Sequence, residues 1–168
     1  MESDERNVGV GSGAGDQSRI SEEIDDQFRA LMEGLRTTIP GVMVLFSFLL
    51  VLPLQSSFAE ITSANRSVFY LAFGMSALAS VLLIAPSVHQ RVRGPISGIK
   101  RTSWSHVMYA TKLAIAGTVA FMIAISSVVY LVSSLLFSET LAITATAVIA
   151  VISAWAWFYL PLVAFGRG

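Results

Sequence analysis

Four stretches of this sequence contain no charged residue: about 39–58, 68–88, 113–137 and 141–165. Each is long enough for an α-helix, rising 1.5 Å per residue, to cross a hydrocarbon core of about 30 Å. Inside lipid the backbone must satisfy its own hydrogen bonds, so the four stretches are predicted to be helices. Together they define an all-α domain over residues 39–168, a four-helix transmembrane bundle. Composition agrees. Of 168 residues, 54% are hydrophobic and only 13% charged, which leaves too little polar surface to cover a water-facing globule. Cysteine is absent, so disulfides, thiolate metal sites and cysteine nucleophiles are excluded.

Residues 1–20 read differently. Glu2, Asp4, Glu5 and Asp16 are interspersed with Gly9, Gly11, Gly13 and Gly15. Such a stretch buries too little to offset its ordering entropy and is expected to be a disordered tail. It lacks the basic start and apolar run of a secretory signal. The run from Gly9 to Ala14 nominally matches a dinucleotide-binding turn, but no strand precedes it, and no cofactor is expected. Residues 21–38 then predict an amphipathic juxtamembrane helix. Ser21 is the candidate N-cap, and Glu22, Glu23, Asp25 and Asp26 sit at the positive end of the helix dipole. Ile24, Phe28, Leu31 and Leu35 form one apolar stripe. A helix of this kind beside a span lies either on lipid or against the bundle. Pro40-Gly41 is the candidate junction with the first span.

Lysine and arginine counts give the orientation. Arg91, Arg93, Lys100, Arg101 and Lys112 cluster between the second and third spans without an acid; Arg29 and Arg36 precede the first span, and Arg167 follows the fourth. The other two connections hold only Arg66. By the positive-inside rule both termini and the basic loop are cytoplasmic, and the 59–67 and 138–140 turns are external. The five loop bases are also the candidate contacts for anionic lipid headgroups. Residues 1–38 carry nine acids and four bases, so an acidic segment and a basic loop share one side: either the loop serves as the positive-inside signal and the acidic segment stays solvated, or the segment docks on the loop in competition with anionic lipid.

Small residues recur at every fourth position in three spans. They are Ala72, Ser76 and Ser80; Ala116, Ala120 and Ala124; and Ala142, Thr146, Ala150 and Ala154. Such ladders let membrane helices approach closely, within one chain or between copies in a homo-oligomer.

Chemistry-bearing features are sparse. No ionisable residue lies inside the spans, whereas pumps and transporters usually carry one. Pro53, with Gln55 just beyond it, frees the Leu49 carbonyl; Pro86 frees that of Leu82, and Pro161 that of Trp157. Freed carbonyls either coordinate ions along a pathway or mark kinks. Glu60, Arg66 and Glu139 are the charges expected outside, as an ion pair, a cation-concentrating vestibule or solvated loop residues. His89 and His106 have no cysteine or carboxylate beside them, so no metal site is expected. Ser126-Ser127 and Ser133-Ser134 lack a base and are expected to hydrogen-bond their own helix. Trp155, Trp157 and Tyr159 read as an interfacial aromatic anchor. Asn65-Arg66-Ser67 fits a glycosylation sequon.

The segment from Leu35 to Pro53, reading LRTTIPGVMVLFSFLLVLP, resembles the opening of an uncharacterised domain-of-unknown-function family of small four-span prokaryotic membrane proteins. Its LR, PGV and LFxFLL elements precede a proline. Phe58, Arg66 and the run from Leu83 to Pro86 continue the likeness, which covers roughly residues 28–92. The resemblance implies a bacterial or archaeal cell membrane and no established reaction. Some relatives carry a sodium/proton antiporter label, for which this chain has no carboxylate within its spans. The expected function is therefore a non-enzymatic structural, accessory or interaction component whose partners are the bilayer, anionic lipid, a second copy or another membrane protein, and not nucleic acid. The alternative is a small oligomeric transporter or channel for cations or protons.

Overall fold

The computed structural model describes residues 8–97, 104–160 and 163. Four helices follow one another: α1 (Val8–Val51), α2 (Ser63–Ser97), α3 (Trp104–Leu136) and α4 (Glu139–Ala154), the last continued by a π turn at Trp155–Tyr159. All four are long and apolar enough to cross a membrane. The chain reverses between successive helices. The 52–62 and 137–138 connections therefore share one end of the molecule, here the turn end, and the α2–α3 connection marks the other, the loop end.

α1 departs from expectation at both ends. It begins at Val8 and runs unbroken for 44 residues, about 66 Å. Residues 8–20, expected to be disordered, are its first turns; 1–7 lie outside the described residues. Extending an existing helix needs no new nucleus, which lets glycine-rich sequence follow the helix it abuts. Nor is there a joint at Pro40-Gly41: the amphipathic segment and the first span are one helix, with Pro40 inside it. Near this point the hydroxyls of Thr37 and Thr38 both donate to the Gly34 carbonyl, at 2.8 and 3.0 Å.

The first span also ends earlier than residue 58. α1 stops at Val51, just ahead of Pro53, which has no N–H to donate, and tightens into a 3₁₀ turn at Leu52–Leu54. Gln55 is extended, and a second 3₁₀ turn covers Ser56–Glu60. Thr62 then caps α2, its Oγ1 accepting the Asn65 N–H at 3.3 Å. At the other turn Ser138 is extended and Glu139 opens α4 with a carboxylate in its first turn.

Packing centres on α2 and α3. The buried positions of α2 are Phe69, Ala72, Ser76, Ala79, Leu83 and Pro86. Those of α3 are Val107, Ala110, Ala114, Gly117, Ala120, Ala124, Ser127 and Leu131. Their spacings of three and four average close to 3.5, and α1 buries Leu35, Val42 and Leu49, each seven apart. That period keeps one face of a helix on its neighbour, as in left-handed membrane bundles. The strict every-fourth ladder expected for α3 is corrected accordingly. Ala120 and Ala124 are buried, but Ala116 is exposed. Four residues turn an α-helix about 40° too far, so such a ladder drifts off the contact face.

Two apolar clusters fill the interior. Toward the loop end, Leu35 and Val42 meet Ala79, Leu83, Ala114 and Ala120. Toward the turn end, Leu49 meets Phe69, Ala72 and Leu131. Phe58 packs edge-on against Phe69 with ring centroids 4.8 Å apart, and Phe46 stacks on Phe73 at 5.1 Å. α1 rests on both α2 and α3. Among the described residues, α4 packs on α3 alone, with Ala142 its one fully buried residue and Trp157 stacked parallel on Phe121 at 6.1 Å.

Candidate functional site

The residues singled out by sequence fall into two groups at opposite ends of the molecule, and a polar pair lies between them. At the turn end, Pro53 and Gln55 are both exposed, as are Glu60, Arg66 and Glu139. No ion pair joins these charges among the described residues, so of the three arrangements open to them the ion pair between the two turns is not formed. The contact that does link α2 to α3 here is neutral. The Ser134 hydroxyl is shared between the Leu131 carbonyl at 2.9 Å and Asn65 Oδ1 at 3.3 Å. Asn65 is the sequon asparagine, and the structure places it half-buried in the first turn of α2. Sequence reading marked Asn65 for glycosylation and missed its bond to Ser134, because only the antiparallel register brings the two together.

At the loop end, Arg91 and Lys112 are exposed on α2 and α3, and Arg36 is exposed on α1. Arg93 lies within α2; Lys100 and Arg101 lie outside the described residues. Asp25, Asp26 and Glu33 of α1 are exposed too, and among the described residues none of them pairs with Arg91 or Lys112. The apolar stripe on the same segment is resolved in favour of the bundle. Leu31, Met32 and Leu35 pack into the loop-end cluster against α2 and α3, while Ile24 and Phe28 are half-buried.

Pro86 is buried in α2 near the loop end, far along the molecule from Pro53 and Gln55. Pro161 lies outside the described residues. Immediately ahead of it the helix widens into the π turn, where the Leu160 N–H reaches back to the Trp155 carbonyl. Trp155 and Tyr159 are more than half exposed, as an interfacial anchor requires, whereas Trp157 is committed to its stack on Phe121.

Between the two ends the interior offers little chemistry. Among the described residues the buried polar ones are Ser76 and Ser127. Ser127 donates to the Ile123 carbonyl at 2.8 Å, the expected bond to its own helix, and Ser134 likewise bonds Leu131. Ser76 is fully buried, and its hydroxyl has no partner. Among the described residues no histidine or carboxylate cluster is placed to hold a metal.

A model for a family of unknown function, DUF6328, matches residues 17–161, nearly the whole length of the four helices. The chain belongs to the DUF6328 family. No curated protein and no solved structure matches it significantly. The DUF6328 match begins at residue 17, within α1, and therefore includes the amphipathic segment as well as the spans. That segment is thus part of the unit whose helices pack together, which agrees with the burial of Leu31 and Leu35 against α2 and α3.

Proposed function

We propose that this DUF6328 protein is a non-enzymatic, structural or accessory component of a prokaryotic cell membrane, with both termini cytoplasmic. The observation that carries the reading is the character of the interior. Its buried side chains are Leu, Val, Ala, Phe and Pro, with two serines and no ionisable group among the described residues. Proton coupling needs a titratable group at membrane depth, and ion passage needs a polar lining. Ser127 is already bonded to its own helix, and a single serine hydroxyl makes neither. The exposed apolar flank of α4, which packs on one neighbour only, supports a role in contacts with lipid, a second copy or another membrane protein.

The test is reconstitution into proteoliposomes with proton- and sodium-sensitive dyes. Flux indistinguishable from protein-free vesicles is expected. A protein-dependent, saturable flux overturns the reading in favour of a small oligomeric transporter.

A further inference from the structure

Among the described residues α1 and α4 do not touch each other, and both rest on α3. One side chain of α3 meets both. Phe121 is half-buried, and its Cζ lies where a Cβ on Gly41 of α1 would be in ordinary contact, 3.9 Å away. The face of the same ring carries Trp157 of α4, parallel to within 8° at 6.1 Å between centroids. That is an offset stack of the kind aromatic pairs prefer.

Each side of this contact has a local peculiarity. On α1, Pro40 has no N–H to donate to the Arg36 carbonyl, and Gly41 follows it. One turn earlier the Thr37 and Thr38 hydroxyls both donate to the Gly34 carbonyl. Prolines, and hydroxyls bonded back into their own helix, are where long helices bend. α1 is continuous here, yet this is where it flexes most easily. Because residue 41 is glycine, a space the size of one methyl group separates α1 from the Phe121 ring.

On α4, Ala142 near the turn end is the one fully buried residue, so the loop end of the helix depends on the Trp157 stack. Regular α-helix would carry Trp157 about 60° past the Ala142 face. The π turn at Trp155–Tyr159 winds fewer degrees per residue and returns the indole part of the way towards α3. Such turns inside α-helices are rare and concentrate at functional sites.

We propose that Phe121 couples α1 to α4: α1 flexes at Pro40-Gly41, and the ring passes the movement to Trp157, which latches the loop end of α4 onto the bundle. Movement of Gly41 towards α3 closes the methyl-sized space, tips the ring and breaks the stack. Movement the other way leaves the latch shut. The amphipathic segment of α1 lies on the far side of this hinge from the span. Its position therefore sets how firmly α4, the least buried of the four spans, is held. Whatever engages one of the two helices is felt by the other, by the reciprocity that any coupling obeys. Such coupling is independent of transport, so the flux assay does not bear on it.

Amide hydrogen exchange of the full chain in nanodiscs, read by mass spectrometry, supplies the test. Gly41→Val sets the methyl groups of a stiff, β-branched side chain against the ring. Exchange at the 155–160 amides should rise by up to about tenfold, the loss expected of one aromatic pair, while the α2–α3 seam around Gly117 keeps its protection. Gly41→Ala, whose Cβ meets the ring at ordinary contact distance, and Gly34→Val, with nothing within 4 Å of an added Cβ, should leave 155–160 as in wild type. The reverse arm does not depend on Gly41→Val folding. Trp157→Ala releases Phe121, and exchange at 37–42 should rise although α1 itself is untouched. In a Phe121→Leu background, Trp157→Ala should add nothing further at 37–42. Unchanged exchange at 155–160 in Gly41→Val overturns the coupling, as does unchanged exchange at 37–42 in Trp157→Ala. A rise spread evenly over all four helices in Gly41→Val overturns it too, because overpacking alone would produce that.

Discussion

The Leu83 side chain fills the space that a Cβ on Gly117 would need. A Cβ there would lie 2.8 Å from Leu83 Cγ and 2.9 Å from its Cδ2, with Leu82 Cβ at 3.3 Å. Leu83 is fully buried, and a Cγ and a Cβ cannot swing aside as the tip of a long side chain can. Glycine at 117 is therefore what lets α3 come this close to α2. Without a hydrophobic force between helices in lipid, such close approach is the main source of helix association.

Gly117→Ala should accordingly lower stability in detergent by about 1–3 kcal/mol through overpacking. Gly74 supplies the control, since a Cβ there meets nothing within 4 Å. Gly74→Ala should hold or gain stability, because alanine is the better helix former by about 0.5–1 kcal/mol. Thermal melts of the two variants that coincide would mean that the α2–α3 seam is looser than the structure has it.

Ser76 presents the opposite situation, a buried polar atom with nothing to bond. An unsatisfied buried hydroxyl costs about 1–3 kcal/mol. Ser76→Ala removes that cost and leaves a small cavity at most. Its stability should equal or exceed that of wild type. A loss of more than about 1 kcal/mol would show that the hydroxyl has a partner in the assembled protein, for instance across a contact with a second copy.

The spans were legible because a charge inside lipid is costly, and its absence over twenty or more residues leaves few alternatives to a helix. Their partners were harder to read. Within the chain, the every-fourth ladder placed Ala116 on a packing face that it leaves, while the seven-residue spacing of Leu35, Val42 and Leu49 was in the sequence as the better signal. Period 3.5, not 4, keeps a face on its neighbour. The break at Pro53 was visible, but its effect, ending α1 at Val51, depends on how the 3₁₀ turns after it pack Phe58 on Phe69. Gly117 was unremarkable in the sequence. Only the register between α2 and α3 sets it opposite Leu83, and register is what a single sequence specifies least directly. The gap between α2 and α4 was invisible for the same reason, since it arises from both resting on α3 without meeting.

The position of the amphipathic segment can be checked at Leu35. This residue is 6% exposed and sits with Val42, Ala79, Leu83 and Ala114. Leu35→Ala should cost about 2–5 kcal/mol. The neighbouring Arg36 is exposed, and Arg36→Ala should change stability by no more than about 0.5 kcal/mol. If Leu35→Ala is equally mild, the stripe rests on lipid instead of on the bundle.

The proposed topology rests on the charges at the two ends. Reporter fusions after Gly168 and within 94–99 should read cytoplasmic, and a fusion at Ser63 external. Removing the basic residues of the loop weakens the signal that holds it inside. An external C-terminus would require an odd number of crossings, and one of the four helices would then not span.

The last prediction concerns the loop end as a surface for anionic lipid. Arg91 and Lys112 are exposed on adjacent, antiparallel helices, and no carboxylate among the described residues pairs with either. Each basic residue near an anionic membrane contributes about 1 kcal/mol. The double variant Arg91→Ala, Lys112→Ala should therefore bind phosphatidylglycerol-type lipid about thirtyfold more weakly than wild type, with zwitterionic lipid unaffected. Exposed charges are screened beyond about 8 Å at physiological ionic strength, so added salt should narrow the gap between the two proteins. If the acidic segment of α1 neutralises this end in solution, deleting residues 1–26 should strengthen lipid binding in wild type and restore none of it in the double variant. A thirtyfold loss that ignores salt would instead indicate a packing defect, and circular dichroism of the double variant tells the two apart.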